Sequence, residues 1–325
     1  MDHLLSMRDI SRQRLEEYCN RAEVFRAVDA HSLGRKALAE TYRGTGAALF
    51  FEEPSTRTYS GFKMGLGKLG AIDVSLTGVS ASTAKGETLG ETALTLGALG
   101  AEVIIMRTKK EDAVAKAAEM SEVPIINAGD GANEHPSQAI LDVATLLRRF
   151  GRVAGLHVAK FGDLGYARTS NSLDLALGMY PDVRITLVPS PGLDLTPRSE
   201  AFLKESGLDH SRVDSLEELI DLRPDVLFGF RSQAERHPEG ILPPSIILTP
   251  ELLDALPNAA VLHAGPHGPE IPDFVQGRSQ ALFATEQVSN GLYTRIALID
   301  EKLGSHAYNA IQEGKIPYNE SFLAA

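Results

Sequence analysis

The segment Ser55-Thr56-Arg57-Thr58 places three hydroxyls and a guanidinium at the mouth of a predicted helix. An apolar strand, Ala47 to Phe51, leads into it through Glu52-Glu53-Pro54, and the helix beyond has Phe62, Leu66 and Leu69 as its buried stripe. A helix start carries unpaired N–H donors and the positive end of the macrodipole, so it attracts anions. A cation in the first turn opposes that dipole at a cost of about 0.3–1 kcal/mol. With a phosphate between them, guanidinium and helix mouth become one cradle. An ordinary serine cap followed by a solvated arginine is the structural alternative, so the reading needs companions.

Those companions follow at successive strand ends. Arg107 comes directly after the predicted strand Val103–Met106, and His135 and Gln138 come after the strand Pro124–Asn127 and its loop, Ala128 to Glu134. Pro136 suits the first helical position, which puts His135 at the cap and Gln138 in the first turn. Open parallel sheets bind ligands beyond the carboxyl ends of their strands. Separately, Arg107 could be a surface ion pair, His135 a cap and Gln138 a helix filler; together they mark one edge. Lys85, in the small-residue stretch Ser80 to Thr88, reads as a surface lysine or as part of a lid bringing an ammonium onto an anion. Further on, Gly162 to Thr169 is another strand, turn and helix start with an arginine, Arg168, in the first turn. Arg231 and Gln233 follow the strand Asp225–Phe230. Two arginines there suit a substrate carrying one or two carboxylates.

The elements that must hold these groups alternate. Strands are expected at Leu156–Phe161, Val183–Pro189 and Ala260–His263, and helices at Pro136–Phe150, Arg168–Met179, Thr196–Glu205 and about 288–303. Near-continuous apolar strands between helices predict parallel sheets covered on both faces, hence an α/β fold with doubly wound sheets. The 325 residues suggest two domains, and the helix stop at Gly151-Arg152 is the expected junction. The boundaries are 1–150 for an anion-binding domain, with 288–325 packing back on it, and 151–287 for a second domain. A net charge of −11 argues against nucleic acid or an acidic membrane as partner. No apolar run reaches the ~18 residues of a membrane span, the first residues lack the layout of a secretory signal, and Cys19 lies on an apolar helix face as an inert buried thiol. A cytoplasmic location is expected. Neither a full Gly-x-Gly-x-x-Gly turn nor a Walker lysine is present, and the histidines show no metal-ligand spacing, so no nucleotide cofactor and no metal are expected.

Ser55-Thr56-Arg57-Thr58, Lys85-Gly86-Glu87-Thr88, Arg107 and His135-Pro136-Ser137-Gln138, in that order, resemble the aspartate/ornithine carbamoyltransferase family over about residues 40–300. The resemblance implies two α/β domains joined by interdomain helices. The first would take carbamoyl phosphate and the second an amino-acid acceptor, in a cytoplasmic homotrimer with shared active sites. It implies that Ser55, Thr56, Arg57 and Thr58 hold the phosphate, and that Thr58, Arg107 and His135 polarise the carbamoyl oxygen. Gln138 would lie near the carbamoyl NH2, Ser82 and Lys85 would come from a neighbouring subunit, and Gly265 would complete the donor site. Arg168, Arg231, Gln233 and Pro266, with Lys85, would hold the acceptor. Asp163, Arg168 and Arg231-x-Gln233 resemble the aspartate branch, and the Ser-Met-Gly and Cys-Leu-Pro motifs of the ornithine branch are absent. Transfer to L-aspartate, a step of pyrimidine biosynthesis, is therefore the leading expectation. Three departures stand against it. The spacing before Ser55 is closer to the ornithine branch, Ala81 and Ser82 shift the expected serine by one place, and His263-Ala264-Gly265-Pro266-His267 replaces the usual His-Pro-Leu-Pro-Arg. Another acceptor, such as a diamino acid of specialised metabolism, or a non-catalytic homologue, are the alternatives.

Overall fold

The computed structural model describes residues 2–78, 86–233 and 245–319. The chain forms two compact units, Met1–Ala144 with Ser289–Ala325, and Thr145–Val288. In the first unit, helices α1 (Arg12–Ala30) and α2 (Ser32–Leu38) precede β1 (Gly46–Phe51), α3 (Arg57–Leu69), β2 (Ile72–Thr77), α4 (Leu89–Ala98), β3 (Ala101–Thr108), α5 (Ala113–Ala118), β4 (Ile125–Asp130) and α6 (Pro136–Phe150). The second unit carries β5 (His157–Gly162), α7 (Arg168–Leu177), β6 (Arg184–Pro189), α8 (Pro197–Ser206), β7 (Asp209–Arg212), α9 (Leu219–Leu222), β8 (Val226–Phe230), α10 (Pro250–Ala255) and β9 (Ala260–His263). Then α11 (Glu286–Lys302) and α12 (His306–Gln312) return the chain to the first unit. Helices α6 and α11 each contribute residues to both units.

Each unit holds one wholly parallel sheet, in the orders β2-β1-β3-β4 and β7-β6-β5-β8-β9. Both are α/β sheets of the expected class. In the first, Ala48, Phe50, Ile104, Met106 and Ile125 pack against Ala93 and Leu96 of α4 and Val114 and Ala117 of α5. In the second, Phe161, Leu227 and Val261 pack with Leu252 and Leu253 of α10, Ile271 and Phe283. These strands are apolar on both faces because helices cover both, the pattern that marks parallel sheets in sequence.

Strand order changes direction between β1 and β3 in one unit and between β5 and β8 in the other. Such switch points open a crevice beyond the carboxyl ends of the strands. The register places Phe51 opposite Arg107, and Gly162 opposite Phe230. Gly162 has φ +106, and a Cβ there would lie 2.0 Å from the Phe230 carbonyl oxygen, so this crossing admits only glycine.

Candidate active site

The first switch point gathers the anion-binding residues. Helix α3 begins on Arg57, and its cap residue, Thr56, makes no side-chain bond to the helix. Ser55 takes that role from one residue earlier, its Oγ accepting from the Thr58 N–H at 3.2 Å. Thr56 is exposed and Arg57 half-buried. Burial pushes the Arg57 guanidinium below its ordinary value, and no carboxylate among the described residues offsets it. The sequence places Arg107 after its strand; the structure places it within β3. Arg107 C=O accepts from the Glu52 N–H at 3.0 Å, which prolongs the β1–β3 ladder past its apolar part. The Arg107 Nε donates to Glu53 Oε2 at 3.1 Å, and the Lys109 N–H donates to Glu52 Oε2 at 3.0 Å, so the acidic pair before Pro54 orients this strand end.

Helix α6 supplies the other side. The buried His135 ring lies with Nε2 3.2 Å from Thr58 Oγ1 and Nδ1 3.3 Å from Ser137 Oγ. Thr58 of the α3 mouth and His135 of the α6 mouth are therefore in contact. The loop before His135 is fixed by buried carboxylates. Asp130 accepts from Asn127, Asn133, Asp112 N–H and Glu134 N–H, while Glu134 accepts from Ser6, the Met7 N–H and Arg8. Gln138 Nε2 donates to Asp142 Oδ1 at 2.9 Å, one turn along α6.

The second switch point belongs to the other unit. Helix α7 begins on Arg168, buried, after a cap residue, Ala167, that offers no side-chain bond. Asp163 joins the two loops that meet here, accepting from the Tyr166 N–H at 3.1 Å and the Gln233 N–H at 2.8 Å. Gln233 Nε2 donates to the Arg231 carbonyl at 2.9 Å, and Arg231 Nη1 to the Ser232 carbonyl at 2.8 Å. In the loop after β9, the Gly265 N–H donates to His263 Nδ1 at 2.8 Å, which leaves the proton of the neutral ring on Nε2, 3.1 Å from Glu270 Oε1. Burial would raise the Glu270 carboxyl, but His263 and the Gly268 N–H outweigh it and hold the group below the usual carboxylate range. The pair fixes the loop that carries Gly265 and Pro266, joined by a cis peptide, and His267, whose ring meets Phe283 edge-on at 5.5 Å.

Residues 2–148 match the family model for the aspartate/ornithine carbamoyltransferase carbamoyl-P binding domain. The aspartate carbamoyltransferase catalytic subunit of Hyperthermus butylicus is 38% identical over 303 residues, covering 91% of this chain and 94% of that protein. The Methanopyrus kandleri catalytic subunit is 37% identical, covering 93% of this chain and 97% of its own length. The chain belongs to the aspartate/ornithine carbamoyltransferase family. Among solved structures, the catalytic subunit of M. jannaschii aspartate transcarbamoylase aligns with a TM-score of 0.80 at 33% identity, covering 94% of this chain and 99% of that one. The Trypanosoma cruzi aspartate transcarbamoylase, solved with carbamoyl aspartate and phosphate, also gives 0.80, at 28% identity, covering 92% and 94%.

Within this carbamoyltransferase chain, Ser55, Thr56, Arg57, Thr58, Arg107, His135 and Gln138 all lie at strand and helix ends of the first unit, and Arg168, Arg231, Gln233, Gly265 and Pro266 at those of the second. Ser82 and Lys85 lie outside the described residues. Sequence reasoning missed Glu53, which pairs with Arg107, Asp142, which accepts from Gln138, and Glu134 and Glu270, which fix the loops beside His135 and Gly265. Each stands within four positions of a singled-out residue, Glu53 two before Ser55 and Glu134 immediately before His135. Short spacing from a candidate is a weak signal, but it is the one available.

Proposed function

We propose that the chain transfers the carbamoyl group of carbamoyl phosphate to the amino group of L-aspartate, giving N-carbamoyl-L-aspartate and phosphate. One observation carries this reading. Arg57, offset by no carboxylate among the described residues, heads α3 at a switch point, beside the Thr58–His135 contact and one strand from Arg107. Such a group binds a phosphate and, next to it, a polarised carbonyl oxygen. Ser55, Thr56, Arg57 and Thr58 hold the phosphate; Thr58, Arg107 and His135 stabilise charge developing on the carbamoyl oxygen; Gln138 meets the carbamoyl NH2. The amine attacks the carbamoyl carbon, the carbon–oxygen bond to phosphorus breaks, and the departing phosphate accepts the amine proton. No protein nucleophile is needed, and a well-placed donor to the developing oxyanion contributes roughly 3–4 kcal/mol.

For the acceptor, Arg168, Arg231 and Gln233 supply the charge and hydrogen bonds that a dicarboxylate requires. The T. cruzi relative has been solved with carbamoyl phosphate and aspartate together, which supports aspartate here. The second reading, transfer to a different amino acid, rests on Gly265-Pro266-His267, where the acceptor loop departs from the family pattern. The working assembly in this proposal is a homotrimer whose neighbour supplies Ser82 and Lys85. Strand β2 supports association, because it is a sheet edge that exposes Ile72 by 59% and Val74 by 51%, and unpaired apolar edges are ordinarily covered. A radiolabelled carbamoyl phosphate assay against a panel of amino acids tests the function. Aspartate alone should be carbamoylated; transfer only to a diamino acid selects the second reading, and bound carbamoyl phosphate with no transfer to any amine refutes both.

A further inference from the structure

Gln138 and Asp142 face each other across one turn of α6, 6% and 0% exposed. An ionised carboxylate only accepts, so the amide atom 2.9 Å from Asp142 Oδ1 must be the NH2 group. The amide oxygen of Gln138 is then the acceptor left over, with no partner among the described residues. Beside this pair lies Arg295 of α11, 3% exposed. Burial pushes its guanidinium down to about 10, against the pull of the Asp142 charge. Two glycines make room for it. A Cβ at Gly61 of α3 would come within 2.7 Å of Arg295 Nη1, and one at Gly291 within 2.6 Å. The Phe62 ring lies 5.5 Å from the guanidinium carbon. A buried cation, a buried carboxylate and an amide thus run in sequence from the flank of α3 to the mouth of α6. A desolvated charge is expensive unless opposed, and Arg295 is a cation whose field opposes that of Asp142.

We propose that Asp142 is a positioning residue that locks the Gln138 amide with its oxygen toward the donor. This rests on the carbamoyl phosphate reading above and deepens it. A locked acceptor recognises an NH2 group on the acyl carbon and offers nothing to a methyl group. Carbamoyl phosphate and acetyl phosphate differ by that exchange and share the phosphate. The lock is therefore a selectivity device that separates a carbamoyl donor from other small acyl phosphates.

Asp142→Asn tests it, because an asparagine can present either its oxygen or its NH2 and no longer dictates the Gln138 orientation. Titration calorimetry of the full chain with carbamoyl phosphate, acetyl phosphate and inorganic phosphate should give a ~10-fold weaker affinity for the first, the size of one hydrogen bond. The other two should change by no more than about two-fold. In a Gln138→Leu background the same substitution should add nothing. Arg295→Lys should keep the carbamoyl preference and Arg295→Met lose it, a second test if Asp142→Asn does not fold. A preference unchanged in Asp142→Asn, or an equal loss for all three ligands, overturns the proposal and leaves the donor reading standing. Wild-type protein that binds neither carbamoyl phosphate nor phosphate overturns the donor reading and this proposal with it.

Discussion

Arg57→Ala should move fold stability and ligand binding in opposite directions. The guanidinium opens α3, opposes the helix dipole, is half-buried, and has no ion-pair partner among the described residues. Removing it should relieve about 0.3–1 kcal/mol of dipole repulsion in the unliganded protein. The bound state loses far more, because charge-assisted hydrogen bonds contribute ~1.5–3 kcal/mol each, equivalent to roughly 10- to 150-fold in Kd. Ligand linkage makes this visible. Phosphate at a hundred times its Kd stabilises the native state by about 2.7 kcal/mol, so a variant that binds a hundred-fold more weakly forfeits most of that gain. The measurement is a urea unfolding midpoint with and without saturating phosphate, followed by far-ultraviolet circular dichroism because the chain has no tryptophan. Wild type should shift upward with phosphate; Arg57→Ala should begin at or above the wild-type midpoint and hardly shift. Arg57→Lys should fall between, since it keeps the charge and loses the planar fork. An Arg57→Ala protein that is less stable without ligand, or that responds to phosphate like wild type, would refute the reasoning.

Two further outcomes test the second unit. Lys160, fully buried in β5, donates to both Asp174 oxygens at 2.7 Å and to Ser170 Oγ at 2.8 Å. Lys160→Met should destabilise that unit by ~3–5 kcal/mol by stranding a buried carboxylate, and the double variant Lys160→Met/Asp174→Leu should recover most of it, as read by urea midpoints. Glu270 titrates below the usual carboxylate range because its bonds to His263 and Gly268 outweigh burial. Its contribution is therefore present above the unfolded pKa of about 4.3 and lost as pH falls through the lower folded value. Glu270→Gln should be less stable than wild type at neutral pH, with the gap closing in acid; a gap independent of pH would exclude this role.

What the sequence made legible was whatever depends on local spacing. The buried stripe Phe62, Leu66 and Leu69 of α3 shows at a helical period, and the apolar runs of β1, β5 and β9 show by their continuity. The same holds for Arg57 and Arg168, each found by its place after a strand. Strand β2 was not legible because it is a sheet edge whose residues alternate between exposed and half-exposed positions without an apolar run. Lys160 read as one more residue of an apolar strand, since its partner lies fourteen positions away on a helix face. Arg295 acts on Asp142 from a helix far along the chain, and no spacing in the sequence announces that pairing.

The two helices that begin on arginine at a sheet switch point, α3 and α7, make a comparison within one molecule. Helices α1, α4, α8 and α10 are closed at their starts by side chains of Ser11, Thr88, Thr196 and Thr249, each bonding a first-turn N–H. Helices α3 and α7 begin on arginine, and their cap residues, Thr56 and Ala167, bond none. A chain that caps its ordinary helices with hydroxyls has the means to cap these two. At α3 the serine one residue before the cap takes one first-turn N–H, and the arginine that follows opposes the helix dipole at a cost an anion offsets. Helices α5, α9 and α12 also lack a side-chain cap and α1 also begins on arginine, but α3 and α7 combine the two features, and both fall at the switch points of the two sheets, where ligands of parallel sheets bind. The arrangement thus calls for two anionic groups, one for each unit. A phosphate donor and a carboxylate-bearing acceptor fit that arrangement. On the proposed acceptor reading, the choice of amino acid is made in the second unit, by how far the Gly265-Pro266-His267 loop lets a side chain reach beside Arg168 and Arg231.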